Sequence, residues 1–138
     1  MRLAYDTNTI RCDYFIPFLL RTSSNYEIYI PAIVYAEKGY FYIINGSSIQ
    51  TFNREIKAYH GQVMSLSPEQ IQIAIQLAAK HRKLLPFRDH SRDYLIACQC
   101  QDQIDILLTY NKKHFQLFQL QPTQILEPEE FFTEFTPQ

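Results

Sequence analysis

The sequence predicts an α/β fold, a three-layer α/β/α sandwich around a mostly parallel central sheet, and three observations carry that expectation. Short runs of strand length recur at Arg2 to Tyr5, Glu27 to Ile30, Ile104 to Thr109 and Gln124 to Leu126. Longer segments with apolar residues at helical spacing lie between them. The Ile104 to Thr109 run is mostly apolar and does not alternate, the pattern of a strand covered on both faces. Strands alternating with helices in this way build parallel sheets flanked by helices.

The elements follow in order. Arg2 to Tyr5 is an extended run closed by Asp6. Thr7 can cap a helix through Ile10, Tyr14 and Phe18, and Pro17 should end or kink it near Ile16. Asn25 begins a turn before the Glu27 to Ile30 strand. Pro31 then opens a helix carrying Ile33, Val34, Glu37, Tyr40, Phe41 and Ile44, stopped by Asn45-Gly46. Ser47 or Ser48 caps the next helix, which reaches about Tyr59, and Gln62 to Leu66 is a candidate short strand. Ser67-Pro68-Glu69-Gln70 is a helix start with a capping serine, a proline at the first helical position and a glutamine at the third. The helix it opens should bury Ile71, Ala74, Ile75 and Ala78 as one face. Leu84-Leu85-Pro86 leads into a loop, Ser91 can cap a helix containing Leu95, Ile96 and Cys98, and a last helix begins near Pro128.

Composition bounds the function. A length of 138 residues suits one domain, residues 1–138, and an apolar share of 46% is too high for a disordered chain. The formal net charge of -1 argues against a protein that binds nucleic acid by bulk positive charge alone. It leaves room for an enzyme that holds its substrate through bound metal and a local basic cluster. Cys12, Cys98 and Cys100 are odd in number, and the single residue between the last two is too short for a zinc knuckle, so reduced thiols are expected. The longest apolar run, Tyr40 to Ile44, is far short of the roughly 20 residues of a membrane span, and a cytoplasmic protein with no membrane contact is expected.

In an open parallel sheet, ligands bind at the carboxyl ends of the strands. The residues expected there are Asp6-Thr7-Asn8 after the first strand and Thr109-Tyr110-Asn111 after the later one. Glu37 and Asp93 lie near helix starts. Taken singly each has an ordinary explanation: a turn or cap for Asp6 and Asn111, a solvated helix residue for Glu37, a favourable dipole contact for Asp93. Together, Leu3-Ala4-Tyr5-Asp6-Thr7-Asn8, then Glu37, then Asp93-Tyr94-Leu95-Ile96-Ala97 (an acid read as facing outward), then Thr109-Tyr110-Asn111 with Phe115 four residues on, carry more.

That order and spacing resemble PIN domains, above all the VapC-type toxins of toxin–antitoxin pairs, over residues 2 to 127. The resemblance implies a PIN-like fold and a metal-dependent endoribonuclease hydrolysing phosphodiester bonds in RNA. It implies Asp6, Glu37, Asp93 and Asn111 as the catalytic positions, with Asp6, Glu37 and Asp93 holding Mg2+ or Mn2+. Many members have Asp where this chain has Asn111, a departure that removes one charge and bears on a second metal. Asn8 and Thr109 would orient the carboxylates and waters. Three clustered carboxylates resist joint ionisation, and a hard divalent cation with oxygen ligands relieves them.

Arg11, Lys38, Arg92 and Lys112 are candidate contacts to the RNA backbone, while Asp89 is expected to pair with Arg88 or Arg92. His90 is the only histidine near Cys98, and the pair makes no convincing nucleophilic centre. Most of the aromatic residues, among them Tyr14, Phe18, Tyr35, Phe41 and Tyr42, are expected in the core. By resemblance the partners are an antitoxin protein docked in a groove between early helices and a second copy in a homodimer. The competing readings are a PIN-fold RNA-binding module with little catalysis and an RNA-processing nuclease that is not a toxin. An Asp-nucleophile phosphatase of the haloacid dehalogenase type needs a second Asp where this chain has Asn8.

Overall fold

The first strand of the chain becomes the middle of the sheet. In the computed structural model, which describes residues 1–135, β1 (Arg2–Tyr5) lies between β2 (Glu27–Ile30) and β4 (Ile106–Leu108). With β3 (Gln62–Val63) and β5 (Gln124–Leu126) the sheet order is β3-β2-β1-β4-β5, and every pairing is parallel. Ala4 is in register with Tyr29 on one side and Leu107 on the other. Leu3, Ala4, Tyr5, Leu107 and Leu108 have no exposed surface, as a sheet covered on both faces demands.

The helices are α1 (Phe15–Thr22), α2 (Ala32–Ile44), α3 (Ile49–Ala58), α4 (Pro68–Lys80), α5 (Phe87–Cys100), α6 (Lys112–Leu117) and α7 (Pro128–Phe135). They flank the sheet as an α/β/α sandwich, the fold class expected from the sequence. Ser48 caps α3 by accepting the Thr51 N–H at 3.1 Å. Ser67 and Gln70 form the reciprocal box at the start of α4, at 3.2 and 2.9 Å. Gly46 ends the turn after α2 at φ 84°, a conformation that side chains with a Cβ avoid. Among the described residues no helix is long and apolar enough to cross a membrane.

Several local expectations fail for identifiable reasons. The segment after Asp6 is a 3-10 helix, Thr7–Arg11, and Thr7 does not cap it. The chain is extended at Cys12, and α1 starts only at Phe15. Pro17 therefore sits in the first turn of α1, where a missing N–H costs nothing. Helix α5 begins at Phe87 after Pro86 rather than at Ser91, and its backbone leaves helical geometry at His90 (φ -127°, ψ 15°). The strand expected at Gln62 to Leu66 keeps only Gln62–Val63, and β4 loses Ile104, Asp105 and Thr109 at its ends.

On α4 the buried face runs through Ala74 and Ala78, with Ile73 and Leu77 packed against the core. Ile71 and Ile75 are exposed, because the small alanines are what let α4 pack along α5. The aromatic residues divide similarly. Phe18 is buried, and Tyr35 and Tyr42 stack on Phe52, but Tyr14 and Phe41 are exposed.

One polar side chain ties three elements together. Gln99 of α5 is fully buried, and its Oε1 accepts the Ala32 N–H that opens α2 at 2.9 Å. Its Nε2 donates to the carbonyls of Met64 and Ser65 after β3, at 3.3 and 3.1 Å. Replacing Gln99 by Leu strands those backbone groups, each costing about 1–3 kcal/mol when buried without a partner. We expect Gln99→Leu to lower the unfolding free energy by about 3 kcal/mol in urea titrations; a loss below about 1 kcal/mol would mean that water replaces the side chain.

Candidate active site

The crevice forms where the chain order reverses, at the carboxyl ends of the neighbouring strands β1 and β4. Parallel register puts the residue after each strand beside the other. The Asp6 N–H bonds to the Leu108 carbonyl at 2.9 Å, and the Thr109 N–H bonds to the Leu126 carbonyl at 2.9 Å. Asp6 is completely buried. Its Oδ2 accepts the Thr109 hydroxyl at 2.9 Å, and that hydroxyl oxygen accepts the Asn111 N–H at 3.0 Å. Asn8 reaches across the same gap, its Oδ1 accepting the Tyr110 N–H at 3.2 Å.

The other two acids converge on Asp6. Glu37, on the second turn of α2, accepts the Thr7 hydroxyl on Oε1 at 2.9 Å. Asp93 projects from α5 just beyond the His90 irregularity and is buried at 3% exposure, so it does not face outward. Its Oδ2 lies 2.8 Å from His114 Nδ1. Asn111 precedes α6 without capping it and lines the same open concavity as Thr7, Asn8, Arg11, Glu37 and Arg92.

Arg92 occupies the centre of this group. Its Nη2 donates to Asp6 Oδ1 and, at 3.0 Å, to Glu37 Oε1. Nε donates to Glu37 Oε2 at 3.1 Å, and Nη1 to Asp93 Oδ1 at 3.0 Å. Burial alone would lower the Arg92 pKa, but hydrogen bonds and charge from Glu37 and Asp6 outweigh it and hold the pKa above its ordinary value. One cation thus faces three carboxylates, which leaves the crevice anionic. The planar fork satisfies oxygens that would otherwise repel each other.

In this structure Arg92, a candidate RNA contact, is an internal counter-ion. Lys38 is corrected outright. It is 3% exposed, pairs with Glu55 at 3.2 Å and lies over the rings of Tyr5 and Phe52, so no backbone phosphate can reach it. Burial pushes its pKa down, and Glu55 partly restores it. Lys112 is tied to Glu130 of α7 at 2.9 Å and faces a groove beside β5 rather than the acidic concavity. Arg11 stays exposed at the lip. Asp89 is exposed, and among the described residues no ion pair joins it to Arg88 or Arg92.

Sequence reasoning missed the role of His114 as the partner of Asp93, and missed His90 beside it. The spacing of His90 and Asp93, one helical turn apart, was the available signal. The cysteines are free and buried, and burial pushes the Cys98 thiol up to about 11, which suits packing and not nucleophilic attack.

The donor set fits a hard cation. Carboxylate oxygens from three separate elements already surround one positive group, and each acid is held by a neighbour of its own. For a metal ion to take that place, the Arg92 guanidinium must swing out.

The architecture matches solved structures. A chain of VapBC2 from Rickettsia felis, crystallised bound to a DNA fragment from its promoter, is 21% identical with a TM-score of 0.62, over 92% of this chain and 98% of that one. A chain of VapBC-1 from nontypeable Haemophilus influenzae is 20% identical with a TM-score of 0.58, over the same shares, 92% and 98%. No family model and no curated protein matches the sequence. At this level of identity the likeness is one of fold: this chain shares its α/β/α architecture with them.

Proposed function

We propose that the protein is a metal-dependent endoribonuclease of the PIN class and the toxin half of a toxin–antitoxin pair. The observation that carries this reading is the convergence of Asp6, Glu37 and Asp93 on one cation at the crevice between β1 and β4. The likeness to chains from two VapBC assemblies supports it. Asp6, Glu37 and Asp93 would hold Mg2+ or Mn2+, which supplies an acidified water and neutralises charge on the phosphate.

The chain's own residues do the positioning. Thr109 fixes Asp6 from behind, Thr7 fixes Glu37, and His114 fixes Asp93, so each carboxylate presents its remaining oxygen to the crevice. Arg11 at the lip, and Arg92 once released, would hold the backbone phosphates flanking the scissile bond. In hydrolysis a water oxygen bonds to phosphorus, the bond to the leaving ribose oxygen breaks, and that oxygen gains a proton. No covalent intermediate on the protein is needed.

An antitoxin segment and a second copy of the chain are the partners this reading brings. Tyr40, Phe41, Ile43 and Ile44 at the end of α2, and Ile71, Ile75, Leu84 and Phe87 around α4 and α5, remain exposed and are surfaces such partners would cover. The Arg92 clamp also favours a second reading, a PIN-fold RNA-binding module in which the guanidinium permanently replaces the metal.

Cleavage of a labelled single-stranded RNA pool with Mg2+ or Mn2+ separates the two. The nuclease reading expects activity that EDTA abolishes and that Asp6→Asn reduces by about three orders of magnitude, the scale of losing one charge-stabilising group. Cleavage that survives both treatments rules the carboxylate centre out. Arg92→Gln removes the internal competitor, so Mn2+ affinity followed by electron paramagnetic resonance should rise several-fold, and unchanged affinity would show that the guanidinium does not stand in the metal's place. Asn111→Asp adds a carboxylate to the concavity and should likewise tighten Mn2+ binding; no change would place Asn111 outside the ligand set.

A further inference from the structure

Asp93 divides its two oxygens between different neighbourhoods. Oδ1 accepts from Arg92 Nη1, on the side where the other two carboxylates meet the same guanidinium. Oδ2 faces His114, and His90 stands beside it, its ring edge-to-face with His114 at a centroid separation of 4.9 Å. One ligand atom from each of His90, Asp93 and His114 lies within 4.8 Å of the other two. The kink at His90 and the short α6 bring these side chains together from two elements. We propose that His90, Asp93 and His114 form a site for a late first-row divalent ion of the zinc class, separate from the carboxylate centre although it shares Asp93.

The donor chemistry selects the ion. Two imidazoles and one carboxylate suit Zn2+, Co2+ or Ni2+, whereas Mg2+ asks for oxygen ligands and keeps its water. A zinc ion about 2.0 Å from each donor needs them about 3.3 Å apart. Both imidazoles are half-buried with one side towards solvent, so small ring rotations can close the remaining distance. That solvent side leaves open positions for water. His114 ligating through Nδ1 carries its proton on Nε2, so Asp93 Oδ2 and the ring nitrogen turn from each other to the shared ion. The site does not depend on the nuclease reading, because neither Asp6 nor Glu37 belongs to it.

The test uses the full chain, stripped of metal, with Zn2+ alone titrated against a chromophoric chelator. We expect one equivalent bound, and affinity reduced more than about tenfold in both His90→Asn and His114→Asn, since even the loss of an outer partner of a ligand costs that much. Imidazole nitrogen NMR of the wild type should show His90 and His114 shifting on Zn2+ addition while His60 and His81 stay in place. This readout holds even where a variant folds poorly. Substituted Co2+ should show visible absorption without thiolate charge transfer, which separates this site from the cysteines. Asp6→Asn should keep its zinc affinity, so failure of the nuclease reading and failure of this site remain distinguishable. Absence of binding, or binding unchanged in both histidine variants, overturns the proposal and leaves a plain hydrogen bond between His114 and Asp93.

Discussion

The interaction on which the crevice depends is the single guanidinium of Arg92 held between three carboxylates. Asp6 has no exposed surface, and an ionised acid in such a place is costly unless it is paired and hydrogen-bonded. Arg92 meets that need, and by meeting it for Glu37 and Asp93 as well it fixes the end of β1, the second turn of α2 and the middle of α5 to one point. Each acid also has a neighbour of its own: Thr109 donates to Asp6 Oδ2, Thr7 to the Glu37 Oε1 that Arg92 also holds, and His114 Nδ1 meets Asp93 Oδ2. Each acid is thus held twice, by the shared cation and by a neighbour of its own.

Strand order is what gathers these acids. β1 and β4 are about a hundred residues apart in sequence yet adjacent in the sheet, so Asp6 and Thr109 meet only because the chain crosses from β3 back past β1. On α2 the consecutive residues Glu37 and Lys38 show how sharply position decides role. A step of about 100° around the helix turns Glu37 to the crevice and Lys38 into the packing of Tyr5 and Phe52. The Tyr5 and Tyr59 hydroxyls lie 2.7 Å apart, and Tyr42 donates to Glu55, the partner of Lys38, so this packing carries hydrogen bonds as well.

Much of the fold was legible in the sequence because its signals are local. The strand-length runs of β1, β2 and β5 and the capping serines of α3 and α4 need no knowledge of tertiary structure. What was not legible depends on distant partners. Pro17 reads as a helix breaker until the preceding 3-10 turn moves the start of α1 to Phe15. Ile71 and Ile75 read as core until α5 takes only the alanine face. At the candidate site, Asp6, Glu37, Asp93 and Asn111 could be nominated from a family pattern, but their counter-ion could not. An arginine one residue before an acid looks the same whether it reaches out to a substrate or turns inward, and the same ambiguity misplaced Lys38.

Charge balance connects the two unusual features of the crevice. A fourth carboxylate at position 111 would leave one guanidinium against four negative groups, and in a partly buried site each added like charge raises the cost of ionising the rest. Asn111 keeps a polar oxygen at that place without the charge. With three acids, Arg92 can hold the metal-free site closed by itself. The amide at 111 and the arginine at 92 therefore fit one requirement: an acidic crevice that stays folded before any divalent ion arrives. On the proposed nuclease reading, one incoming divalent cation would take over the role of the guanidinium and free it for an anionic substrate.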